Sequence, residues 1–89
     1  MDADDMTAFV LGVGHVLRAE RERRWRSLAM TGRPLGLSVS VMSRLETGQR
    51  RLDMRRFVGL CGMLEVEPVT VIALAQREAF PLGWPGGGR

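Results

Sequence analysis

The pattern of apolar and polar positions predicts five helices and no strand. Apolar residues recur at helical spacing in five stretches, and residues that favour helix ends separate these stretches. The predicted fold class is therefore all-α, a compact five-helix domain. The first predicted helix follows a cap at Asp5 or Thr7, and the others begin at Leu28, Val39, Met54 and Val69. All but the second have predicted ends, near residues 24, 47, 64 and 80.

Capping residues set most of these boundaries. Ser27, Ser38 and Asp53 each precede an apolar stretch, and each side chain can accept a hydrogen bond from a backbone N–H in the first helical turn. Gly48 is expected to end the third helix, because glycine adopts the left-handed conformation that ends many helices. Pro68 lies where a first-turn proline is tolerated.

The fourth and fifth helices each carry an apolar face that is expected to line the core. Cys61 lies in the first of these faces and is interpreted as a small core residue. The expected core-facing residues are Phe57, Val58, Leu60, Cys61 and Leu64 in the fourth helix, and Val71, Ile72, Leu74 and Ala75 in the fifth.

The third helix, Val39–Thr47, carries the most informative pattern. Met42 and Leu45 lie three residues apart and are expected to face the core, whereas Ser40, Ser43 and Arg44 fall on the opposite face. Val39 lies at the exposed N-terminal end. A helix with such a free face can read the major groove of DNA. There Val39 would pack on a thymine methyl group and Arg44 would donate two hydrogen bonds to guanine. The alternative is a solvated surface helix in which Arg44 pairs with a carboxylate.

The charge distribution favours a polyanion as partner. The net charge is +3, but residues 18–56 hold 11 of the 13 basic residues and only four acidic ones. Every basic residue is arginine, whose guanidinium group donates two hydrogen bonds at once to phosphate or guanine. Concentrated positive charge on a small domain is typical of nucleic-acid-binding proteins.

Other functions find little support in the residues. One cysteine excludes an intrachain disulfide, and His15 with Cys61 makes no recognisable metal site. No Ser/His/Asp set and no phosphate-binding glycine loop is present, so neither an enzyme nor a cofactor is expected. No apolar run approaches the length that spans a bilayer, and a cytoplasmic, nucleoid-associated protein without a membrane partner is expected.

Residues 11–75 resemble the helix-turn-helix domain of the phage Cro/repressor type, known as the XRE family. The resemblance is carried by Val-Leu-Arg-Ala-Glu-Arg at residues 16–21, by Gly-Leu-Ser at 36–38 and by Ser-Arg-Leu-Glu-Thr-Gly at 43–48. The segment from Phe57 to Pro68 matches the family's fourth helix and the turn after it. No insertion is needed across this span.

The resemblance implies a transcriptional regulator that binds double-stranded DNA as a homodimer on a palindromic operator. Its expected role is that of a repressor. It implies a buried ion pair between Arg21 and Glu46, and a carboxylate late in a helix is unfavourable with the helix dipole unless it is paired. It places base contacts at Val39, Ser40, Ser43 and Arg44, and DNA backbone contacts at Ser27, Leu28, Ser38, Gln49, Arg50 and Arg51.

The second helix departs from the family pattern. Where the family usually carries Leu-Ala, this chain has Thr31 and Gly32, and Pro34 follows. Gly32 keeps the small size needed at a close helix crossing, but Pro34 disfavours helix at Arg33 and removes a backbone donor. The helix is expected to be short, kinked or frayed. It would then either order on DNA, which is the favoured alternative, or belong to a domain that binds protein instead.

The remaining predictions concern the ends of the chain. Residues 1–80 are expected to form the domain, with an acidic extension over 1–6, and residues 81–89 a flexible Gly/Pro-rich tail. Trp25 is expected to cover the edge of the core, or else to touch the DNA backbone.

Alternative functions are the antitoxin of a toxin–antitoxin pair, a protein-interaction module with a protein partner, and a non-specific DNA-coating protein. Surplus apolar surface suggests a dimer contact through Phe9, Val69, Ile72, Phe80 and Trp84.

Overall fold

Five α-helices and one short 3-10 helix make up the chain in a computed structural model, which describes residues 1–86. No strand occurs among these residues, so the all-α prediction is confirmed. Within the same range, no single helix is long and apolar enough to cross a membrane, and the helices Met54–Leu64 and Pro68–Ala79 would meet those criteria only as a pair bent by 104°. The elements are α1 (Ala3–Arg23), α2 (Leu28–Gly32), the 3-10 helix (Arg33–Leu35), α3 (Val39–Thr47), α4 (Met54–Leu64) and α5 (Pro68–Ala79).

Three of the predicted caps are confirmed. The side chains of Ser27, Ser38 and Asp53 accept hydrogen bonds from the backbone N–H groups of Met30, Val41 and Arg56, at 3.0, 3.1 and 2.8 Å. Each bond satisfies a donor that the first helical turn leaves without an intrahelical partner. The starts of α2, α3 and α4 are therefore fixed by local sequence.

Helix α1 begins earlier than predicted. Asp2, rather than Asp5 or Thr7, is its N-cap, and it accepts a hydrogen bond from the Asp5 N–H at 2.9 Å. The Asp5 side chain in turn accepts from the Asp2 N–H at 3.1 Å. This reciprocal pair, with the acidic charge in the first turn, stabilises the N-terminal end of the helix. Part of the predicted acidic extension is thus helical.

The second helix is short, as predicted from Pro34. Helix α2 ends at Gly32, and Pro34 lies in the single 3-10 turn that follows. Proline has no N–H to donate and its ring clashes with a preceding carbonyl, so an α-helix cannot pass through this position without distortion. The 3-10 turn carries the chain to Gly36, which has a φ of 72°.

The core lies where α1 packs against α5 and α3, with α4 closing one side. In α4 the prediction for Val58 is wrong, because this side chain is 52% exposed. It lies about 100° around the helix from Phe57 and so falls outside the inward stripe. The fully buried apolar residues include Leu17, Met42, Leu45, Phe57, Leu60, Cys61, Leu64, Val71 and Ala75, whereas Ile72 and Leu74 are half-buried.

Two glycines allow α1 to approach its neighbours closely. A Cβ atom on Gly14 would lie 2.6 Å from the carbonyl oxygen of Glu46 in α3. A Cβ atom on Gly12 would lie 3.2 Å from the carbonyl oxygen of Ala75 in α5. Because both neighbours are backbone atoms, a side chain at Gly14 would have to push the helices apart.

The segment after α5 packs against the domain through Trp84. Trp84 meets Phe9 and Phe80 edge to face, with ring centroids 5.7 and 5.3 Å apart. Phe9 and Phe80 are stacked at 6.4 Å. The flexibility of the 81–89 tail stays a prediction, and its last part, residues 87–89, lies outside the described residues.

Candidate nucleic-acid interface

The two faces of α3 differ sharply in exposure. Met42 and Leu45 are 1% and 3% exposed and anchor the helix in the core. The opposite face carries exposed polar side chains, and Val39 at the N-terminal end is 51% exposed. The residues predicted to contact bases are therefore all on the surface, namely Val39, Ser40, Ser43 and Arg44.

A tight turn positions α3 against α2. The Gly36 N–H donates to the carbonyl of Arg33 and the Leu37 N–H donates to that of Gly32, both at 3.0 Å. Gly36 adopts the left-handed conformation that this turn requires. A Cβ atom on Gly32 would lie 2.4 Å from Cγ of Met42, so only glycine fits this crossing without movement. The small residue predicted at position 32 is indeed where the two helices meet.

A buried ion pair ties α3 to α1. Nε of Arg21 donates to one carboxylate oxygen of Glu46 at 2.7 Å, and its Nη2 donates to the other at 3.0 Å. Both side chains are about nine-tenths buried or more. The hydrogen bond to Glu46 raises the pKa of Arg21, against the opposing effect of burial. The structure brings together the two residues that the resemblance pairs, and they orient α3 on the domain.

The residues predicted to contact the DNA backbone flank α3. Ser27 and Ser38 are exposed at the N-termini of α2 and α3, and Leu28 is half-buried. Gln49, Arg50 and Arg51 are exposed in the loop after α3. This loop is held to the helix end, because the N–H groups of Gln49 and Arg50 both donate to the carbonyl of Arg44, at 2.9 and 3.2 Å.

The arginines near α3 differ from those of α1 in their partners. In α1 and just after it, Arg18, Arg21, Arg23 and Arg24 each pair with a glutamate. Among residues 1–86, seven arginines have no carboxylate partner within ion-pair distance, Arg26 and Arg77 among them. The other five lie between residues 33 and 55, so their charge is available to a ligand on this part of the chain. These are Arg33, Arg44, Arg50, Arg51 and Arg55.

Two members of this group had no role in the sequence analysis. Arg33 lines a shallow groove together with Ser38 and Val39. Arg55 lines the adjoining groove, which also borders Gly36. Both residues lie in the basic segment over 18–56, but charge alone does not indicate which of its arginines line these two grooves.

Trp25 does not cover the core. Its side chain is 92% exposed, in the turn between α1 and α2, so the favoured prediction for this residue is wrong. Its φ of 57° places it in the left-handed region. This conformation ends α1, since the Arg26 N–H donates to the carbonyl of Arg21.

The residues predicted as a dimer contact lie near both chain ends. Phe9, Phe80 and Trp84 form the aromatic cluster described above, so part of their apolar surface is already covered within the chain. Val69 is 70% exposed and Ile72 is half-buried. The dimer contact stays a prediction.

The two side chains that were considered as metal ligands, His15 and Cys61, lie in other environments. Nδ1 of His15 lies 2.7 Å from a carboxylate oxygen of Glu78, which links α1 to α5. Cys61 is 1% exposed, and burial raises the pKa of its thiol. Across residues 1–86, no three His, Cys, Asp or Glu side chains are grouped so that they could hold a metal ion.

Comparison with known proteins identifies the domain type. The family model described as a helix-turn-helix domain matches residues 13–74, well over half of the chain. No curated protein and no solved structure matches the chain. The matched range covers α2, the turn and α3, with the helices that support them. The chain therefore belongs to the helix-turn-helix domain family.

Proposed function

We propose that this protein is a sequence-specific transcriptional regulator of the Cro/repressor type. In this proposal it acts in the cytoplasm as a repressor, and it binds a palindromic operator as a homodimer. Helix α3 enters the major groove, while the N-termini of α2 and α3 and the loop after α3 hold the DNA backbone. Base contacts come from Val39, Ser40, Ser43 and Arg44.

The observation that carries the proposal is the exposed, unpaired Arg44 on the free face of α3. If α3 were an ordinary surface helix, Arg44 would be expected beside a carboxylate, but no ion pair forms there among residues 1–86. A guanidinium group at this place can donate two hydrogen bonds to guanine, and a good bidentate pair is worth about 1–3 kcal/mol of base discrimination.

The short second helix is compatible with DNA binding. Its start is capped by Ser27 and its end crosses α3 at Gly32. The shortening by Pro34 therefore affects the segment between α2 and the turn, while α2 and α3 still meet at Gly32. This supports a DNA-binding domain over one that has become a protein-interaction module.

A palindromic operator has two-fold symmetry, so the protein that reads both of its half-sites has to be a dimer. In helix-turn-helix dimers the two reading helices contact half-sites about 34 Å apart, so the subunit contact sets the spacing. The proposed contact uses Val69, Ile72 and the aromatic cluster of Phe9, Phe80 and Trp84. Sedimentation of the protein with and without its operator measures this step separately from DNA recognition.

The test is selection of bound duplexes from a randomised library at two salt concentrations. We expect an enriched palindrome, with affinity that falls steeply as salt rises because arginines displace counterions from phosphates. Arg44→Ala should relax the preference at one position of each half-site and weaken binding about 5- to 150-fold per half-site, the range that corresponds to one lost bidentate pair. Arg77→Ala, which changes an exposed arginine on α5, is the matched control and should bind as the parent does.

Other outcomes would favour the alternative functions. Binding without enrichment, weakened equally on all sequences by Arg44→Ala, would indicate a DNA-coating protein. A folded protein that binds no duplex would contradict the proposal and favour a protein-interaction module. An antitoxin would bind its operator and also a toxin, so it would require co-purification of that second protein.

A further inference from the structure

We infer that Trp25 is a DNA-contact residue, which touches the sugar–phosphate backbone beside the N-terminus of α2. The inference rests on the proposed function and adds a contact that neither the motif nor the charge pattern assigns. Its indole N–H would donate to a phosphate oxygen, and its ring would cover the adjoining sugar.

The exposure of Trp25 is the first observation. At 92% it is far more exposed than Trp84, the other tryptophan, at 43%. A tryptophan is among the side chains that gain most from burial, and it usually finds a partner for its N–H. Among residues 1–86, Trp25 makes neither gain. Trp25 lies only two residues before Ser27, the cap of a helix whose N-terminus faces phosphates in the proposed complex.

The backbone of Trp25 is the second observation. A φ of 57° is unfavourable for a residue with a bulky side chain and is readily adopted by glycine. The same conformation occurs at Glu65 after α4, and in both places it ends a helix, since the N–H of the following residue donates back to a carbonyl five residues earlier. Glycine would form this turn at lower cost, so the turn itself does not favour a tryptophan here.

The turn that carries Trp25 is held rigidly. The Trp25 N–H donates to the carbonyl of Glu22 at 3.0 Å, and the Arg26 N–H donates to that of Arg21 at 3.1 Å. Arg21 also donates from Nη1 to the carbonyl of Arg26 at 2.8 Å. The Arg26 side chain donates in turn to the carbonyl of Met63 at the end of α4. The backbone at Trp25 is therefore already ordered, which lowers the entropic cost of binding through this turn.

The local charge favours a nucleic acid over an apolar partner. Residues 18–26 contain five arginines and two glutamates, so Trp25 lies in the positive part of the chain. No exposed apolar residue adjoins it in sequence, since Arg23, Arg24, Arg26 and Ser27 surround it. An isolated aromatic side chain among cations suits a polyanion with apolar sugars, whereas protein interfaces centre on contiguous apolar surface.

The test compares Trp25→Gly with the parent on the selected operator and on a scrambled duplex. We expect an affinity loss of about tenfold per bound subunit, typical of one hydrogen bond to a charged group. The loss should be equal on both duplexes, because backbone contacts carry no sequence information. The salt dependence should stay unchanged, since the indole is neutral, whereas Arg50→Ala should lower the salt slope by about one per bound subunit. Leu82→Ala, which removes another fully exposed apolar side chain, is the matched control and should bind as the parent does.

Folding can be separated from binding in the same variants. Trp25→Gly relieves the strained φ and should melt at or above the temperature of the parent. Trp25→Asn is a second test, because asparagine also tolerates the left-handed region. Trp25→Phe keeps Trp84 as the only fluorophore, so the difference from the parent reports the emission of Trp25. DNA should shield that emission from acrylamide.

Each result decides the inference. Weaker binding by the folded glycine and asparagine variants, with shielding of Trp25 by DNA, supports it. Unchanged affinity in either folded variant, while Arg44→Ala still weakens the operator complex, overturns the inference and leaves the proposed function intact. A parent protein that binds no duplex overturns both.

Discussion

The buried pair of Arg21 and Glu46 makes a strong prediction about stability. Replacement of Arg21 by alanine removes two charged hydrogen bonds to Glu46 and one to the carbonyl of Arg26. It also leaves the Glu46 carboxylate, whose side chain is 6% exposed, without its cation. Breaking a buried pair in this way costs about 3–5 kcal/mol, mostly because an uncompensated charge stays buried.

That loss is large beside the total stability of such a domain. For 89 residues the free energy of unfolding is roughly 4–13 kcal/mol. Each kcal/mol shifts the melting temperature of a domain of this size by about 4–8 °C, so Arg21→Ala should lower it by about 12 °C or more. The matched control is Arg23→Ala, because Arg23 lies on the same helix but its side chain is 67% exposed. Its partner Glu20 is 11% exposed but keeps a second cation in Arg24, so the loss of Arg23 should cost about 1 kcal/mol or less.

Thermal and urea unfolding followed by circular dichroism would measure both variants. The double variant Arg21→Met with Glu46→Leu adds a further check, because it removes both charges and keeps apolar volume. We expect it to recover much of the stability that Arg21→Ala loses. Equal melting temperatures for Arg21→Ala and Arg23→Ala would refute the reasoning.

Three further predictions concern helix packing and pH. Gly14→Ala should lower stability by about 1–3 kcal/mol, because its methyl group would meet the backbone of α3 at 2.6 Å. Gly62→Ala should instead raise stability by about 0.5–1 kcal/mol, since nothing lies within 4 Å of an added Cβ and alanine favours helix. Urea unfolding midpoints that shift in the same direction for Gly14→Ala and Gly62→Ala would contradict these two predictions. The hydrogen bond from Arg24, with further support from Arg23, holds the pKa of Glu20 below its ordinary value of 4.5 despite burial. The ionised form is therefore favoured in the folded state, and its contribution is present above pH 4.5 and is lost as pH falls through the lowered pKa. Glu20→Gln should thus melt below the parent at neutral pH and approach it in acid, and a constant difference across a pH series would disprove the assignment.

The ends of helices were predictable where a single residue could cap them. Ser27, Ser38 and Asp53 each form their hydrogen bond within three residues, so the local sequence contains all that the bond requires. The start of α1 was predicted wrongly because Asp2, Asp4, Asp5 and Thr7 can all serve as caps. The reciprocal bonds between Asp2 and Asp5 decide among them, and the spacing of these two aspartates was the signal that could have identified the cap.

The free face of α3 was also predictable, because helical periodicity separates Met42 and Leu45 from Ser43 and Arg44. The pairing of Arg21 with Glu46 was available from the resemblance, with support from the helix dipole. Which arginines lie beside the turn before α3 was not predictable, because Arg33 and Arg55 line the two grooves at this turn from other elements. Their placement depends on how α2 and α4 pack, and periodicity within one helix carries no information about that.

The sequence by itself determined which segments are helical, where most of them begin, and which face of α3 is left free, because caps and periodicity act within a few residues. Only the tertiary structure decided how closely those helices approach one another. Gly12 and Gly14 look unfavourable within a helix, and their role emerges only when α5 and α3 lie against them. The exposure of Trp25 and the meeting of Phe9 with Trp84 were settled in the same way. Whether an apolar side chain is covered depends on residues far away in sequence, and its own sequence neighbours do not determine it.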